Sequence, residues 1–369
     1  MSEFQLKQAL QPLTDAWQNL PIAPRHSTLL GISFRPLQAA SFGLNERETL
    51  QELLAYPFQL IRLGAYWNRI ETEPGIFSFD ELDWQIEAAE KAGKQIVLCV
   101  GPVKAFGYPE FFVPKYHLRQ PFPEHALIRP AAYASLIETA SEFITRLVER
   151  YKQHKSIVAW QLEHEPVDPL GREHSWRLDI AFVEEELEAL KTADPTKPVM
   201  MNGFLPTSLL VLISQWWNTW DQGDSLAVAQ RLADMVGIDY YPRHALISIG
   251  NRTIYLDGSQ SLWHRLRRKR LIAWAGSQEI KLMISEGQAE PWETITTPPN
   301  PNNQGMYSCL PEQVIFNYNN CMNWYGQGVS LYAYLFWGAE YWILRKLGGD
   351  TSYIKTFARI LEYAHEQTL

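Results

Sequence analysis

The feature of this sequence that most constrains its fold is a regular alternation of short apolar runs with longer amphipathic segments. The apolar runs predict eight β-strands: Leu29–Arg35, Gln59–Ala65, Gln95–Val100, Ile157–Leu162, Pro198–Asn202, Met235–Tyr240, Lys281–Ser285 and Ser330–Phe336. Most of these runs are apolar without strict alternation of apolar and polar residues, which indicates strands that are covered on both faces.

The segments between the runs predict helices. Asn45, followed three residues later by Glu48, has the spacing of a helix-capping box, and Asp80 can cap the next helix. Further helices are predicted at Ala131–Tyr151, Ser175–Thr192, Gly258–Ala275, Gln313–Tyr325 and Thr351–Gln367.

Eight strand–helix alternations without an evident linker predict one closed (β/α)8 barrel over residues 29–369. Residues 1–28 are then expected to be an N-terminal extension packed on that barrel. The main alternative is an open doubly wound sheet, and it is disfavoured because no glycine-rich phosphate loop follows the first strand. The long segments Pro102–Pro130 and Glu293–Gly305 follow predicted strands, so they are expected on the active-site face.

Composition and charge exclude several classes of protein. With 46% hydrophobic and 20% charged residues, the chain can bury a large core and is not disordered. The net charge of −8 disfavours nucleic acid as the main partner, because binding phosphates requires a positive surface. The single basic run, residues 264–270, is interpreted as a solvated helix face.

The cysteines and the N-terminus bear on cofactors and location. The three cysteines, Cys99, Cys309 and Cys321, lack the spacing of a zinc site or of a disulfide framework. Met1–Leu20 has neither the basic start nor the apolar stretch of a signal peptide, and no apolar run reaches the length of a membrane helix. We therefore expect a cytoplasmic protein without a metal, a cofactor or a membrane partner.

Two of the predicted strands run directly into glutamates. The fourth strand leads to Glu165 and the seventh leads to Glu286, and the carboxyl ends of these strands face each other across a barrel mouth. Cleavage of a glycosidic bond requires such a pair of carboxyl groups. One is protonated and gives its proton to the leaving oxygen, and the other is ionised and attacks the anomeric carbon.

Three motifs give the chain a resemblance to a known group of enzymes: Trp160–Pro166 around Glu165, Ile284–Glu286, and the turn Trp67–Asp80 with its Trp, Glu, Pro-Gly and paired aromatic residues. They resemble the corresponding segments of the clan A glycoside hydrolases. Within that clan the chain is most similar to the family 42 β-galactosidase-like and family 5 cellulase-like barrels. The resemblance extends from Gly31 to Trp342.

The resemblance implies a retaining β-glycoside hydrolase that acts on an oligosaccharide or glycoside and needs no cofactor. Glu165 would be the acid/base and Glu286 the nucleophile, while Glu163 and Glu290 are rivals for these two roles. The remaining candidates are Arg62 near the nucleophile, Tyr240 or Tyr241 as its hydrogen-bond donor, Trp337 as the floor under the sugar, and the possible sugar contacts Trp292 and Tyr108.

One departure from the family pattern concerns the residue before the acid/base. Clan A enzymes usually have an asparagine there that binds the sugar 2-hydroxyl, whereas this chain has His164. A histidine can also donate a hydrogen bond, but a charged imidazolium would lower the pKa of Glu165 and weaken it as an acid. The departure keeps a second hypothesis open, a catalytically weak barrel that binds carbohydrate.

A third hypothesis is a barrel enzyme of another chemistry, such as a metal-dependent hydrolase. The absence of metal-ligand spacing in the sequence argues against it. The sugar, the linkage, exo or endo action and the oligomeric state stay open.

Overall fold

The main sheet of the described residues is a closed barrel of eight strands, which we number in chain order. The computed structural model describes residues 12–118, 120–169, 175–206, 208–249, 252–259, 261–291, 308–324 and 330–365. The barrel strands are β1 Leu29–Ser33, β2 Leu60–Gly64, β3 Gln95–Cys99, β4 Ile157–Gln161, β5 Val199–Phe204, β6 Met235–Tyr240, β7 Lys281–Gln288 and β8 Ala333–Trp337. Each strand lies beside the next one in sequence, and β8 lies beside β1. The prediction of a (β/α)8 barrel is confirmed.

Helices alternate with these strands. They are α1 Pro36–Ser41, α2 Glu46–Leu54, α3 Trp67–Ile70, α4 Asp80–Lys91, α5 Ala134–Tyr151, α6 Ile180–Ala193, α7 Leu209–Thr219, α8 Ser225–Leu232, α9 Leu262–Gln278, α10 Pro311–Met322, α11 Ala339–Leu347 and α12 Ser352–Tyr363. The side chain of Asn45 caps α2 by accepting hydrogen bonds from two backbone amides, as its position in the sequence predicts. The helix predicted to start at Ser175 starts at Ile180, because Arg177–Leu178 pairs as a short strand with Leu127–Ile128.

Among the described residues, antiparallel pairs outside the barrel join Glu71–Glu73 with Ile76–Phe77 and Arg243–Ile249 with Arg252–Asp257. Short 3-10 helices occur at Ala16–Asn19 and Lys115–His117.

The barrel strands are buried almost throughout, which explains why their sequences are apolar without alternation. Strand β2 is buried at all five positions, including the charged Arg62. On β1, a side chain at Gly31 would collide with the backbone carbonyl of Leu60, so only glycine permits this close approach.

The chain divides into two compact units. The first unit comprises residues up to Leu60, Leu205–Leu209 and the chain from Asp239 onward. In it, the segment before β1 packs on α10. Trp17 is buried, and the hydroxyl of Tyr318 donates a hydrogen bond of 2.9 Å to the carbonyl of Ala23.

The second unit comprises Ile61–Phe204 and Leu210–Ile238. In it, the turn after β2 is held as its sequence motif suggests. The indole of Trp67 donates a hydrogen bond of 2.7 Å to Glu71, and the rings of Phe77 and Phe79 stack at 6.2 Å. Among the described residues, no helix is both long enough and apolar enough to cross a membrane.

Candidate active site

Glu165 lies in a short segment that leaves β4 and is held in an unusual backbone conformation. Glu163 and Glu165 have φ angles of +50° and +43°, in the left-handed region that disfavours residues with a side chain. Glu165 is half-buried, whereas Glu163 is buried completely. Such strain persists only where the surrounding contacts over-determine it.

Lys104, in the loop after β3, supplies those contacts. Its buried ammonium group donates hydrogen bonds to the backbone carbonyls of Glu165 at 2.6 Å and Asp168 at 2.9 Å. Its carbonyl accepts a bond of 2.7 Å from the amide of His164, and its amide donates to the carboxylate of Glu163. One residue therefore binds the whole segment through its amide, its carbonyl and its side chain.

Four buried polar side chains close a ring of hydrogen bonds beside Glu165. The Nε of Arg62 donates to Gln161 at 2.6 Å, and the Nε2 of Gln161 donates to Asn202 at 3.0 Å. The Nδ2 of Asn202 then contacts the Nδ1 of His164 at 2.9 Å, and the Nη2 of Arg62 contacts the same nitrogen at 3.4 Å. The guanidinium of Arg62 also lies 4.0 Å above the ring of Phe106.

This ring of bonds determines the protonation of His164. Asn202 and Arg62 offer hydrogen-bond donors to Nδ1, so this nitrogen must be an acceptor without a proton. Burial, together with the charges of Arg62 and Lys104, holds the pKa of His164 well below its usual range. His164 is therefore neutral at neutral pH, and it exerts no imidazolium field on Glu165.

Glu163 forms a buried carboxyl pair with Glu186. Its carboxylate accepts hydrogen bonds from the backbone amides of Val103, at 2.9 Å, and Lys104, which fixes the loop after β3. Burial raises the pKa of Glu163 to about 7 despite these bonds. Burial and the neighbouring Glu163 raise the pKa of Glu186, on α6, well above its usual range. Glu186 therefore holds its proton more strongly than Glu163 does.

Glu186→Gln is expected to change the pH dependence of stability. Because the folded-state pKa of Glu186 is raised well above its usual value, the contribution of this carboxyl to stability is full below about pH 4.5 and is lost as the pH rises toward that folded-state pKa. Glutamine cannot ionise, so the variant should lose less stability than wild type between pH 5 and pH 8. Its free energy of unfolding at pH 8 should exceed that of wild type. Urea unfolding at pH 5 and pH 8 measures this difference.

Glu185→Gln, which changes the exposed neighbour of Glu186, is the matched control. It should follow the wild-type pH dependence. Equal behaviour of the two variants would contradict the assignment of a buried proton to Glu186.

The first unit holds Glu286, which lies on β7 and is buried. The hydroxyl of Tyr241 donates a hydrogen bond of 2.7 Å to its Oε2. Burial and the charge of Glu286 raise the pKa of Tyr241 well above its usual range, so the hydroxyl keeps its proton and remains a donor. The preceding residue, Ser285, donates a bond of 2.8 Å to Asp239 at the end of β6.

Tyr241→Phe is expected to lower kcat about 10- to 100-fold, because a hydrogen bond to an ionised group contributes roughly 1.5–3 kcal/mol. This expectation rests on Glu286 acting as an ionised nucleophile. Steady-state kinetics on a nitrophenyl β-glycoside would measure the loss. Tyr255→Phe, in the short hairpin of the same unit, is the control, and an equal loss in both variants would remove the reason for assigning a role to Tyr241.

The same unit holds a charged cluster beside Trp337, at the end of β8. The guanidinium of Arg35 lies 4.3 Å above the ring of Trp337 and binds Glu340 at 2.7 Å and Glu290 at 2.8 Å. Burial alone would lower the pKa of Arg35, but the two carboxylates offset this effect and raise it. Glu290 is therefore an ion-pair partner in the structure, which weakens its rival claim to the role of Glu286.

The other predicted site residues have different surroundings. Tyr240 is fully buried next to His264 and Trp324, so of the two candidate tyrosines only Tyr241 contacts Glu286. The reason is that successive residues at a strand end point to opposite sides. Tyr108 is 42% exposed in the loop after β3. Trp292 lies outside the described residues.

Sequence reasoning missed several residues of the two clusters: Arg35, Lys104, Gln161, Asn202 and Glu340. Four of them lie on or just after a barrel strand, or in the loop that follows one. An inspection of every polar residue at the predicted strand ends would have found Arg35, Gln161 and Asn202. Lys104 and Glu340 had no such signal, because only their tertiary contacts distinguish them from surface charges.

Part of the chain is similar to a known enzyme family. Residues 47–175 match the model of glycoside hydrolase family 42, described as β-galactosidase. This segment contains Arg62, His164 and Glu165. The β-galactosidase bgaB of Geobacillus kaustophilus is 25% identical over 172 residues, which cover 44% of this chain and 24% of the relative. The aligned part thus spans about a quarter of the length of the curated relatives that the chain matches.

Solved structures share the fold at low sequence identity. Xylanase 10B of Thermotoga petrophila RKU-1 superposes with a TM-score of 0.53 at 12% identity, covering 93% of this chain and 98% of the xylanase. A β-galactosidase from Bacillus circulans sp. alkalophilus has a TM-score of 0.53 at 14% identity, with 92% and 56% coverage. GH5_18 from Streptomyces cattleya has a TM-score of 0.54 at 11% identity, with 86% and 71% coverage. Residues 47–175 are thus similar to glycoside hydrolase family 42, and the chain shares the (β/α)8 barrel fold of these solved structures.

Proposed function

We propose that this protein hydrolyses β-glycosides with retention of configuration, using Glu165 as the acid/base and Glu286 as the nucleophile. In the first step Glu165 gives its proton to the leaving oxygen while Glu286 attacks the anomeric carbon. In the second step Glu165, now a carboxylate, takes a proton from water, and that water releases the sugar from Glu286.

The observation that supports the proposal most directly is the environment of Glu286. It is a buried carboxylate on barrel strand β7, and a tyrosine hydroxyl donates a hydrogen bond of 2.7 Å to one of its oxygens. Such a bond favours the ionised form that a nucleophile needs. Glu165 is half-buried, and the bond from Lys104 to its backbone carbonyl holds its segment in place. Its carboxyl group therefore has a fixed position and access to solvent, as an acid/base needs.

For the substrate, β-galactosides are the first choice, because the matching family model and the curated relatives are described as β-galactosidases. The xylanase and the GH5_18 structure have similar folds but identities of 12% and 11%, so their substrates are second choices.

A carbohydrate-binding barrel without turnover is the second candidate, and the presence of His164 in place of asparagine favours it. However, the imidazole is neutral, because burial and two nearby cations hold its pKa well below its usual range. The electrostatic objection to Glu165 as an acid therefore disappears, and we prefer the enzyme.

The experiment is an assay of the purified protein against nitrophenyl α- and β-glycosides of galactose, glucose, xylose and mannose. Proton NMR of the first-formed sugar would then report the anomeric configuration. We expect cleavage of a β-glycoside with the β-anomer as the first product. A first-formed α-anomer would exclude retention. Binding of an oligosaccharide without cleavage of any glycoside would favour the second candidate.

A further inference from the structure

Helix α9 presents an unusual surface at its N-terminal half. It contains five cationic side chains between residues 265 and 270 and no Asp or Glu, although the whole chain has a net charge of −8. Its inner face is buried through His264, Leu271, Ile272 and Ala275. The cationic residues Arg265, Lys269 and Arg270 are exposed. The basic run of the sequence is therefore a positive helix face on an acidic protein.

Large apolar side chains lie among these charges. Leu262 is 67% exposed, Trp263 50% and Leu266 52%. Exposed apolar residues are common singly, but three within five positions of one helix form a patch. A helix that only needed to be solvated would not keep three such side chains in water.

The helical period gives this surface an order. Leu262 and Leu266 are four residues apart, so they lie one above the other on the outermost line of the helix. Arg265 and Lys269, also four apart, form a row on one side of that line. Trp263 and Arg270, seven apart, lie on the other side. An apolar ridge is thus flanked by cations on both sides.

We propose that this face of α9 docks the protein on an anionic lipid surface. The leucine ridge and Trp263 would enter the interface between headgroups and acyl chains, while the flanking cations contact lipid phosphates. Long basic side chains suit this position, because their stems lie along apolar surface while their charges reach the headgroups. The sequence alone favours a protein without a membrane partner, and the exposed ridge is the reason to depart from that expectation.

Other occupants fit this surface less well. A second copy of the chain would bring identical cations face to face in a twofold contact, and like charges repel. A soluble polyanion would satisfy the cations but would leave Leu262 and Leu266 in water. Only a partner with negative charges above an apolar layer complements both features.

The test is co-sedimentation of the full chain with vesicles of phosphatidylcholine, with and without phosphatidylglycerol. We expect binding to the vesicles that contain phosphatidylglycerol, weakening with added salt. Arg265→Gln with Lys269→Gln should weaken this binding about 30-fold, since each basic residue near an anionic surface contributes about fivefold. Trp263→Gln with Leu266→Gln should weaken it at least about tenfold through lost insertion.

Two sets of control substitutions should leave vesicle binding unchanged if the proposal is right. Lys91→Gln with Lys155→Gln changes the net charge equally but at exposed positions outside α9. Trp217→Gln removes an indole that is 71% exposed on α7, a helix without charged residues. Circular dichroism and thermal melting would show that every variant is folded.

Three outcomes would overturn the proposal. The first is an absence of binding to the vesicles that contain phosphatidylglycerol. The second is equal weakening by a control and by the α9 variants. The third is unchanged vesicle binding in Trp263→Gln with Leu266→Gln while heparin binds the wild type, which would indicate a site for soluble polyanions.

Discussion

Glu286→Gln is expected to lower kcat/KM by on the order of 10⁴-fold or more on every glycoside that the wild type cleaves. Loss of a catalytic nucleophile has effects of at least this size in hydrolases, and glutamine offers no carboxylate to attack the anomeric carbon. The side chain keeps its shape and can still accept the hydrogen bond from Tyr241, so the fold should be retained. Steady-state kinetics and thermal melting together test this expectation.

A 2-deoxy-2-fluoro glycoside with a good leaving group gives a direct readout of the same residue. Fluorine slows hydrolysis of the glycosyl-enzyme, so mass spectrometry of the digested protein should find the sugar on Glu286. Glu279→Gln, an exposed glutamate just before β7, is the matched control and should keep full activity. A label on Glu290, with activity retained in Glu286→Gln, would reassign the nucleophile.

Glu165→Gln is expected to have an effect that depends on the leaving group. General acid catalysis contributes about 10²- to 10⁴-fold, and it matters most for a leaving oxygen of high pKa. The variant should therefore lose activity strongly on an alkyl or sugar leaving group and much less on dinitrophenolate. Added azide should accelerate its turnover on the dinitrophenyl substrate, because azide attacks the glycosyl-enzyme without a general base.

Glu163→Gln separates Glu165 from its rival. Glu163 accepts hydrogen bonds from backbone amides of the loop after β3, so its substitution should lower stability without a strong dependence on the leaving group. The reverse result, with azide rescue in Glu163→Gln and none in Glu165→Gln, would exchange the two roles.

Most of the fold follows from local properties of the chain. Buried parallel strands need apolar side chains on both faces, so each strand is a short continuous apolar run that is visible in the sequence. Two of these runs lead to Glu165, which follows β4, and to Glu286, which lies near the carboxyl end of β7, and polar groups collect where the loops begin. The ends of some elements depend on strand pairing. Helix α6 begins at Ile180 and not at Ser175, because Arg177–Leu178 forms a short strand with Leu127–Ile128.

The surroundings of the site residues required long-range contacts. His164 is neutral because it is buried beside the charges of Arg62 and Lys104, and these residues come from different loops and strands of the second unit. The choice between Tyr240 and Tyr241 likewise depended on the direction of each side chain at the end of β6. Sequence spacing alone cannot order such contacts, since the partners are separated by tens of residues.

Helix α9 shows, at the surface, the same difference between what the sequence determines and what tertiary packing determines. By itself the sequence determined a barrel, the two strands that lead to Glu165 and Glu286, and a basic run on a helix. Burial of the opposite face of that helix was decided by the tertiary structure, and it left Leu262, Trp263 and Leu266 in water between the cations. The physical reason is that the sequence shows which side chains are apolar, whereas only the packing of the elements decides which of these are buried and which stay exposed.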